Sequence, residues 1–280
     1  MPTKTYVQAI AEATIEEMER DKTVFTMGED LRQSVYGATS GLVERFGEDR
    51  VLDTPLSENG FFGAALGASL CGMRPIVETV TSFLWVGMDQ LISQASKMRY
   101  MFGGQANFPI LYRASVSGGG RAAAQHSQSP YSMFMNVAGL KITLASTPHD
   151  LKGLLKTAIR DNNPVISFES NRLYPMKGEV PDEDYTIPFG KADIKREGTD
   201  VTIVALAYQV HEALAAAHTL ADEGISAEIV DPRTLVPMDS AAIRASVRKT
   251  GRCIVIQEAQ GFSGVAAEIA SRVSERCFHH

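Results

Sequence analysis

Two doubly wound α/β domains are what this sequence predicts, on three observations. Apolar strand-like runs alternate with amphipathic helical runs through the first half; the alternation stops in a proline- and acid-rich stretch and then restarts; and 280 residues, at roughly 150 per domain, accommodate two such units. Val7, Ile10, Ala11, Ile15 and Met18 share one helical face of Thr5 to Arg20. A strand from Thr23 to Met27 follows and ends at Gly28-Glu29-Asp30. Further strands are expected at Arg74–Thr79, Pro109–Arg113, Lys141–Leu144 and Pro164–Glu169, with helices at Gly60–Leu70, Leu84–Met101 and His149–Arg160 between them. Strands separated by helices require crossover connections, hence a largely parallel sheet.

The segment VPDEDYTIPFG carries no helical period and reads as an exposed linker, dividing the chain into residues 1–182, a linker at 183–192 and residues 193–280. Beyond it, Asp200–Ala207 predicts a strand, Gln209–Glu223 a helix closed by Gly224, and Ile225–Asp231 a strand. Asp239 caps a helix reaching about Lys249, Arg252–Glu258 predicts a strand, and Gly264–Arg276 a helix. A doubly wound unit usually has one more strand and helix, so the second domain is expected to be truncated at its C-terminus.

Composition narrows the function. Hydrophobic residues are 44% and charged residues 21%, which excludes disorder, and the net charge of −6 comes without any Lys/Arg-rich run that could neutralise nucleic-acid phosphates. No run of apolar residues is long enough to span a membrane, and MPTKTYVQAI lacks the apolar core of a signal peptide, so a cytoplasmic location is expected. Cys71, Cys253 and Cys277 stand singly and are expected to be reduced thiols.

Few residues suggest chemistry by themselves. The motifs GxxxxGK[ST], HExxH and G-x-S-x-G are absent. Gly118-Gly119-Gly120 before Arg121 is a weak phosphate signal and reads equally as a tight turn. Asp53-Thr54-Pro55-Leu56-Ser57-Glu58 joins a strand-like run to a small-residue helix, where α/β sheets bind ligands. Ser57 or Glu58 could instead simply cap that helix, whose start favours an anion. His126 follows the glycine run in an uncharged polar loop and reads either as a structural or as a reactive histidine. His149 reads as a surface cap, and His211 and His218 lack the surrounding pattern of a metal site.

Five segments occurring in order carry a more specific signal: DTPLSENGFFGAALGASLCGMRPIVE, MDQLISQASKMRYMFGG, RAAAQHSQS, LLKTAIRDNNPVISFES with NRLY, and VRKTGRCIVIQEA. Together they resemble the β subunit of the E1 component of thiamine-diphosphate-dependent 2-oxo acid dehydrogenases. These are the pyruvate, branched-chain and acetoin enzymes, related to the C-terminal half of transketolase. The resemblance implies a pyrimidine-binding domain followed by a transketolase C-terminal domain. It implies that Glu58 is the carboxylate beside the cofactor's pyrimidine ring, that Leu56 and Phe83 line the cofactor, and that His126 is the active-site histidine. Ile110, Ala158, Ile159, Asp161 and Asn163 match a potassium site of some members. The Gly-Asp-Gly motif that holds Mg²⁺ and diphosphate is absent; in the family it lies on the α subunit. The resemblance therefore implies an α₂β₂ heterotetramer, a homodimer contact through the C-terminal domain (Val265, Ile269 and Val273 offering an apolar face), and a lipoyl domain of an E2 acyltransferase as acceptor. Ser82 stands where the family carries an acid, and Pro130-Tyr131 replaces another acidic position. The motifs look closest to the acetoin-cleaving branch. Other readings are the C-terminal half of a split transketolase, a thiamine-dependent carboligase, and a catalytically silent assembly subunit.

Overall fold

Val24–Gly28 and Val165–Ser170 are buried at every residue, and Arg74–Val80 and Leu111–Val116 at most of theirs. Strands apolar on both faces need helices on both sides, which is the setting of a parallel sheet. The computed structural model, which describes residues 1–116 and 122–280, has that arrangement. Its larger sheet has the order Thr234–Val236, Lys141–Thr143, Val165–Ser170, Leu111–Val116, Arg74–Val80, Val24–Gly28, Val51–Asp53. Six strands run parallel, and the Thr234–Val236 edge is antiparallel to Lys141–Thr143. From Val24–Gly28 the chain turns first to one side and then to the other, so the sheet switches direction beside that strand. Gly28 is required there: a Cβ would lie 2.5 Å from the Glu78 carbonyl oxygen on the neighbouring strand.

The smaller sheet is Cys253–Ile256, Val201–Ala205, Ala227–Asp231 and Asp193–Arg196, with the last strand antiparallel. Helices Gln209–Asp222, Ser240–Thr250 and Val265–Cys277 cover it. Asp239 caps the second of these by accepting from the Ala242 N–H at 3.1 Å, and Gly224, at φ +79°, ends the first.

In the first half, helix Tyr6–Arg20 opens with a capping box between Thr5 and Gln8 and lies against helix Pro148–Arg160, which Thr147 caps. The contact is ionic as well as apolar. Lys152 and Lys156, both buried, reach Glu16 at 2.7 and 2.5 Å, and Arg160 reaches Glu17 at 2.6 Å. The expected linker is not free chain. Asp184 binds Arg160 at 2.8 Å, the Pro181 carbonyl accepts from Lys152, and the buried Ile187 donates its N–H to Gly153. Asp184 is there to pair with a helix and Asp182 with Lys4 on the Thr3–Thr5 strand, purposes that composition does not reveal.

The expected continuous helix Leu84–Met101 is three pieces: a 3₁₀ turn Thr81–Trp85, a π-helical stretch Asp89–Ala95, and an α-helix Ser96–Met101. Gly87 lies between the first two, and a Cβ there would sit 2.2 Å from the Phe62 ring. That close approach fixes the backbone path and prevents a regular helix from running through it. Elements too short to show a period were not foreseen: Leu42–Phe46, Tyr131–Met135, Thr234–Val236, and the two-stranded ribbon of Thr3–Thr5 with Lys177–Glu179.

The two halves are locked together. Arg233 binds Asp150 and Asp193 at 2.6 and 2.9 Å, Lys195 binds both of the same acids, and the Ser146 hydroxyl donates to Asp231. His211 donates from Nε2 to the Ser146 carbonyl at 2.8 Å, which explains its presence without a metal. One apolar core runs through both halves, with a smaller cluster on the far face of the second sheet. Among the described residues no helix is long and apolar enough to cross a membrane.

Candidate active site

Beside the switch in strand direction, at the carboxyl ends of Val24–Gly28, Arg74–Val80 and Leu111–Val116, lies a cleft of about 280 Å³. Open α/β sheets present ligand sites at such points. Glu29, Leu56, Phe83 and His126 all line it. Four segments distant in sequence thus converge, including three of the four residues implicated by sequence.

Phe83 lies in the 3₁₀ turn that ends Arg74–Val80. Two hydroxyls hold the turn: Thr81 donates to the Ser115 carbonyl and Ser82 to the Gln125 carbonyl. Ser82 occupies the position where an acid was expected, and its role here is to tie the Phe83 turn to the residue preceding His126. The two rings meet edge to face, with centroids 5.5 Å apart and planes at 77°. Leu56 stands at the mouth, 83% exposed, an unusual placement for a leucine unless something packs on it.

Glu58 is the first residue of helix Glu58–Leu70. Ser57 does not cap this helix; its hydroxyl turns back to the Pro55 carbonyl at 3.2 Å. Glu58 is only 7% exposed, and no described residue gives its carboxylate a hydrogen bond or an ion pair. The residue is largely buried yet its carboxylate is not tied to the protein, which leaves that group free to face a ligand. Glu58 also acts on Glu29. Burial first, then the charges of Glu58 and Asp30, push the Glu29 carboxyl up to about 7, and its Oε1 is buried without a hydrogen bond. Sequence reasoning saw Glu29 only as the end of a strand; its acidity depends on burial first and on Glu58 second, and the fold supplies both.

The floor was also missed. Arg113, 2% exposed, places Nε and Nη2 each 2.8 Å from Glu169 and Nη1 2.6 Å from Glu78. A signal existed: charged residues inside otherwise apolar strands on three neighbouring registers. The ion triad saturates the cation, so Arg113 serves to hold the strand ends rather than to bind an anion.

The potassium residues also converge, at the start of Leu111–Val116 and in the turn after helix Pro148–Arg160. Arg74 already occupies part of this turn, donating to the carbonyls of Ile159 and Asp161 at 3.0 Å each. Lys141 pairs with the Asp161 carboxylate, which also accepts from the Asn163 N–H. A monovalent cation would have to share these oxygens with two positive side chains. Among the described residues no group of three or more His, Cys, Asp or Glu could hold a metal ion. Gly118, Gly119, Gly120 and Arg121 lie outside the described residues. His149 is not a cap: Thr147 is, and the imidazole stacks on Tyr185 at 4.8 Å.

Residues 3–177 match the family described as "Transketolase, pyrimidine binding domain" and residues 190–280 the family described as "Transketolase, C-terminal domain". The chain is 48% identical to the β subunit of acetoin:2,6-dichlorophenolindophenol oxidoreductase of Bacillus subtilis, over 96% of this chain and 83% of that protein. It is 45% identical to the pyruvate dehydrogenase E1 component β subunit of the same organism, over 99% and 86%. Among solved structures, a split-gene transketolase described as an inactive β4 tetramer superposes with a TM-score of 0.82 at 24% identity, over 96% of this chain and 85% of that one. That likeness bears on the fold alone.

Proposed function

Because the chain belongs to the family of E1 β subunits built from a transketolase pyrimidine-binding and a transketolase C-terminal domain, we propose that it contributes half of a thiamine-diphosphate active site and works with an α subunit. The α partner completes an α₂β₂ heterotetramer, and a lipoyl domain of an E2 acyltransferase receives the acyl group made from acetoin or a 2-oxo acid. The β chains meet through their C-terminal halves. The three free cysteines fit a reducing cytoplasm.

The residues present fit the cofactor: a carboxyl whose buried Oε1 has no hydrogen bond, an aromatic ring, an exposed leucine and a histidine share one cleft, and Glu58, near enough to act on Glu29, lies beside it. Bound thiamine diphosphate would supply an acidic thiazolium carbon and an electron sink for the substrate carbonyl. Glu58 holds and exchanges a proton at the pyrimidine ring nitrogen, which requires a carboxyl group and a dry surrounding. Glu29, held near neutral acidity, limits the negative charge around Glu58 and stands ready as a proton donor. Phe83 and Leu56, which line the cleft, would hold the cofactor's rings by apolar contact. His126, against Phe83, moves a proton at the reacting oxygen or at the incoming lipoyl sulfur. Mg²⁺ and the diphosphate fall to the α subunit, since this chain has no Gly-Asp-Gly segment. Potassium, if held by Ile110, Ala158, Ile159, Asp161 and Asn163, takes no part in these steps.

The observation that carries the proposal is Glu58, buried at the sheet's switch in direction with no described partner. Titration calorimetry of thiamine diphosphate with Mg²⁺ tests the division of labour. The isolated chain is expected to bind weakly and the chain with its α partner tightly. Micromolar or tighter binding by the isolated chain would overturn the split-site reading.

A further inference from the structure

Three buried polar atoms without a hydrogen bond come together where the C-terminal half meets the loop that carries His126: Ser129 Oγ, Tyr131 Oη and Glu258 Oε1. Tyr131 is 1% exposed, and its hydroxyl is surrounded by the Ser129 hydroxyl and the backbone of Glu258 and Ala259, without a well-aligned bond to any of them. The Glu258 side chain is 3% exposed. It follows the strand Cys253–Ile256 and faces the first half, where the Ser170 hydroxyl lies 3.4 Å from Oε2 and Arg172 Nη1 lies 3.6 Å from Oε1. Arg172 is itself engaged elsewhere, 3.5 Å above the Tyr208 ring and 3.9 Å from Glu212. Buried polar atoms without a hydrogen bond are rare in folded proteins; here two hydroxyls have none, and the carboxylate oxygen beside them has only a long ion pair to Arg172, which calls for a reason other than stability.

We propose that Glu258 is a positioning residue for His126, acting through Tyr131 and Ser129 to let the C-terminal half set where the histidine loop sits. Two residues separate His126 from Ser129, so displacement of one carries to the other. Tyr131 is anchored on the other side by Phe168, whose ring centroid is 5.8 Å away, so its hydroxyl is a fixed point for the junction. The carboxyl has two distinct ways to complete its bonding. Neutral, it donates to the tyrosine or serine hydroxyl and draws the loop in. Ionised, it turns to Arg172 and releases the loop. Burial pushes Glu258 up to about 7, opposed by Arg172 and Ser170, so both forms are populated near neutrality.

The inference rests on the role of His126 given above, and its test is chosen to separate the two. Amide hydrogen exchange over residues 122–131 is compared at about pH 6 and about pH 8, corrected for intrinsic rates, in the full chain and in its Glu258→Gln and Glu258→Ala variants. The parent loop is expected to open as pH rises, the glutamine variant to stay protected at both values, and the alanine variant to exchange faster at both. In the enzyme reconstituted with its α partner, Glu258→Ala is expected to lower kcat by about 10–100-fold with KM little changed, as a small misplacement of a reacting group does. Glu258→Gln is expected to keep kcat and to lose the inflection near neutral pH. Should Glu258→Ala fail to fold, Tyr131→Phe, which removes only the hydroxyl, must loosen the loop in its place. Unchanged exchange in Glu258→Gln and Tyr131→Phe overturns the proposal, as does a pH profile of Glu258→Gln identical to the parent's. Altered exchange in a chain that shows no thiamine-dependent activity with any partner refutes the assigned role of His126 and leaves the junction standing.

Discussion

Replacing Glu58 by glutamine separates its two possible roles at the scale of one residue. An amide keeps the size and can still hydrogen-bond a ring nitrogen, but it cannot exchange a proton with it. As an acid/base group Glu58 is worth about 10²–10⁴-fold in rate; as a helix-start anion it is worth about 0.3–1 kcal/mol of stability and nothing in rate. Deuterium exchange at the thiazolium carbon of bound cofactor in the reconstituted enzyme decides between them. Slow exchange in Glu58→Gln is expected, and exchange as fast as the parent's would reduce Glu58 to a cap. Glu29 shows where sequence reading stops at this scale. A carboxylate after a strand is unremarkable until the fold buries it, and burial first, then the nearby Glu58, moves its acidity toward neutrality. Leu56, Phe83 and His126 were identified through motif likeness, because no local pattern distinguishes them. Their convergence on one cleft is supplied by the chain path between them.

At the scale of elements, the Arg113 triad ties three adjacent strands at the end where the cleft opens. Arg113→Ala leaves Glu169 and Glu78 facing each other across a buried gap. It is expected to cost about 3–5 kcal/mol, the usual penalty for removing one partner of a buried ion pair. Replacing all three together, Arg113→Met with Glu78→Gln and Glu169→Gln, is expected to recover most of that loss, because no uncompensated charge is left behind. Denaturant unfolding measures both, and a triple variant no more stable than Arg113→Ala would show that the charges themselves hold the strands. The long helices and the central strands were legible because period, caps and continuous apolar runs are local signals. The Leu84–Met101 segment was misread because its break comes from contact with Phe62, which local sequence does not contain. The strands Thr3–Thr5, Lys177–Glu179 and Thr234–Val236 escaped for a different reason: they exist only because a partner strand is present.

At the scale of the molecule, the buried carboxyls predict the direction of pH dependence. Burial raises Asp231 to about 6 and Glu29 and Glu258 to about 7, above the ordinary carboxylate values of 3.8 and 4.5. For each, the folded state holds a proton that the unfolded chain releases, so stability falls as pH rises through that window. In the other direction, hydrogen bonds from Lys156 and Arg160 lower Asp184 to about 2. Asp161 and Asp150 are also depressed, through Lys141 and Asn163 in one case and His149, Lys195 and Arg233 in the other. Their contribution is present above the ordinary carboxylate range and lost as pH falls below it. Maximum stability of the isolated chain is therefore expected where these windows meet, near about pH 4–4.5, with a lower melting temperature at about pH 8. Scanning calorimetry across this range checks it, and a higher melting temperature at the alkaline end would contradict the assignment of raised acidities to these three groups.

The strand Thr234–Val236 belongs to the second half by sequence and to the first half by hydrogen bonding, and this governs how the gene could be cut. Severing the chain between residues 183 and 192 would not release two self-sufficient modules. The upstream fragment would bare the Lys141–Thr143 edge, a row of unpaired amides and carbonyls open to any passing strand. The downstream fragment would carry the matching strand with nothing to pair it, and Arg233 beside it would have lost Asp150. Co-expressed, the fragments would find each other through that edge. Expressed apart, each would be prone to self-association. A laboratory or a genome that shuffled these domains would have to move the Thr234–Val236 strand with the first domain or supply a substitute for it.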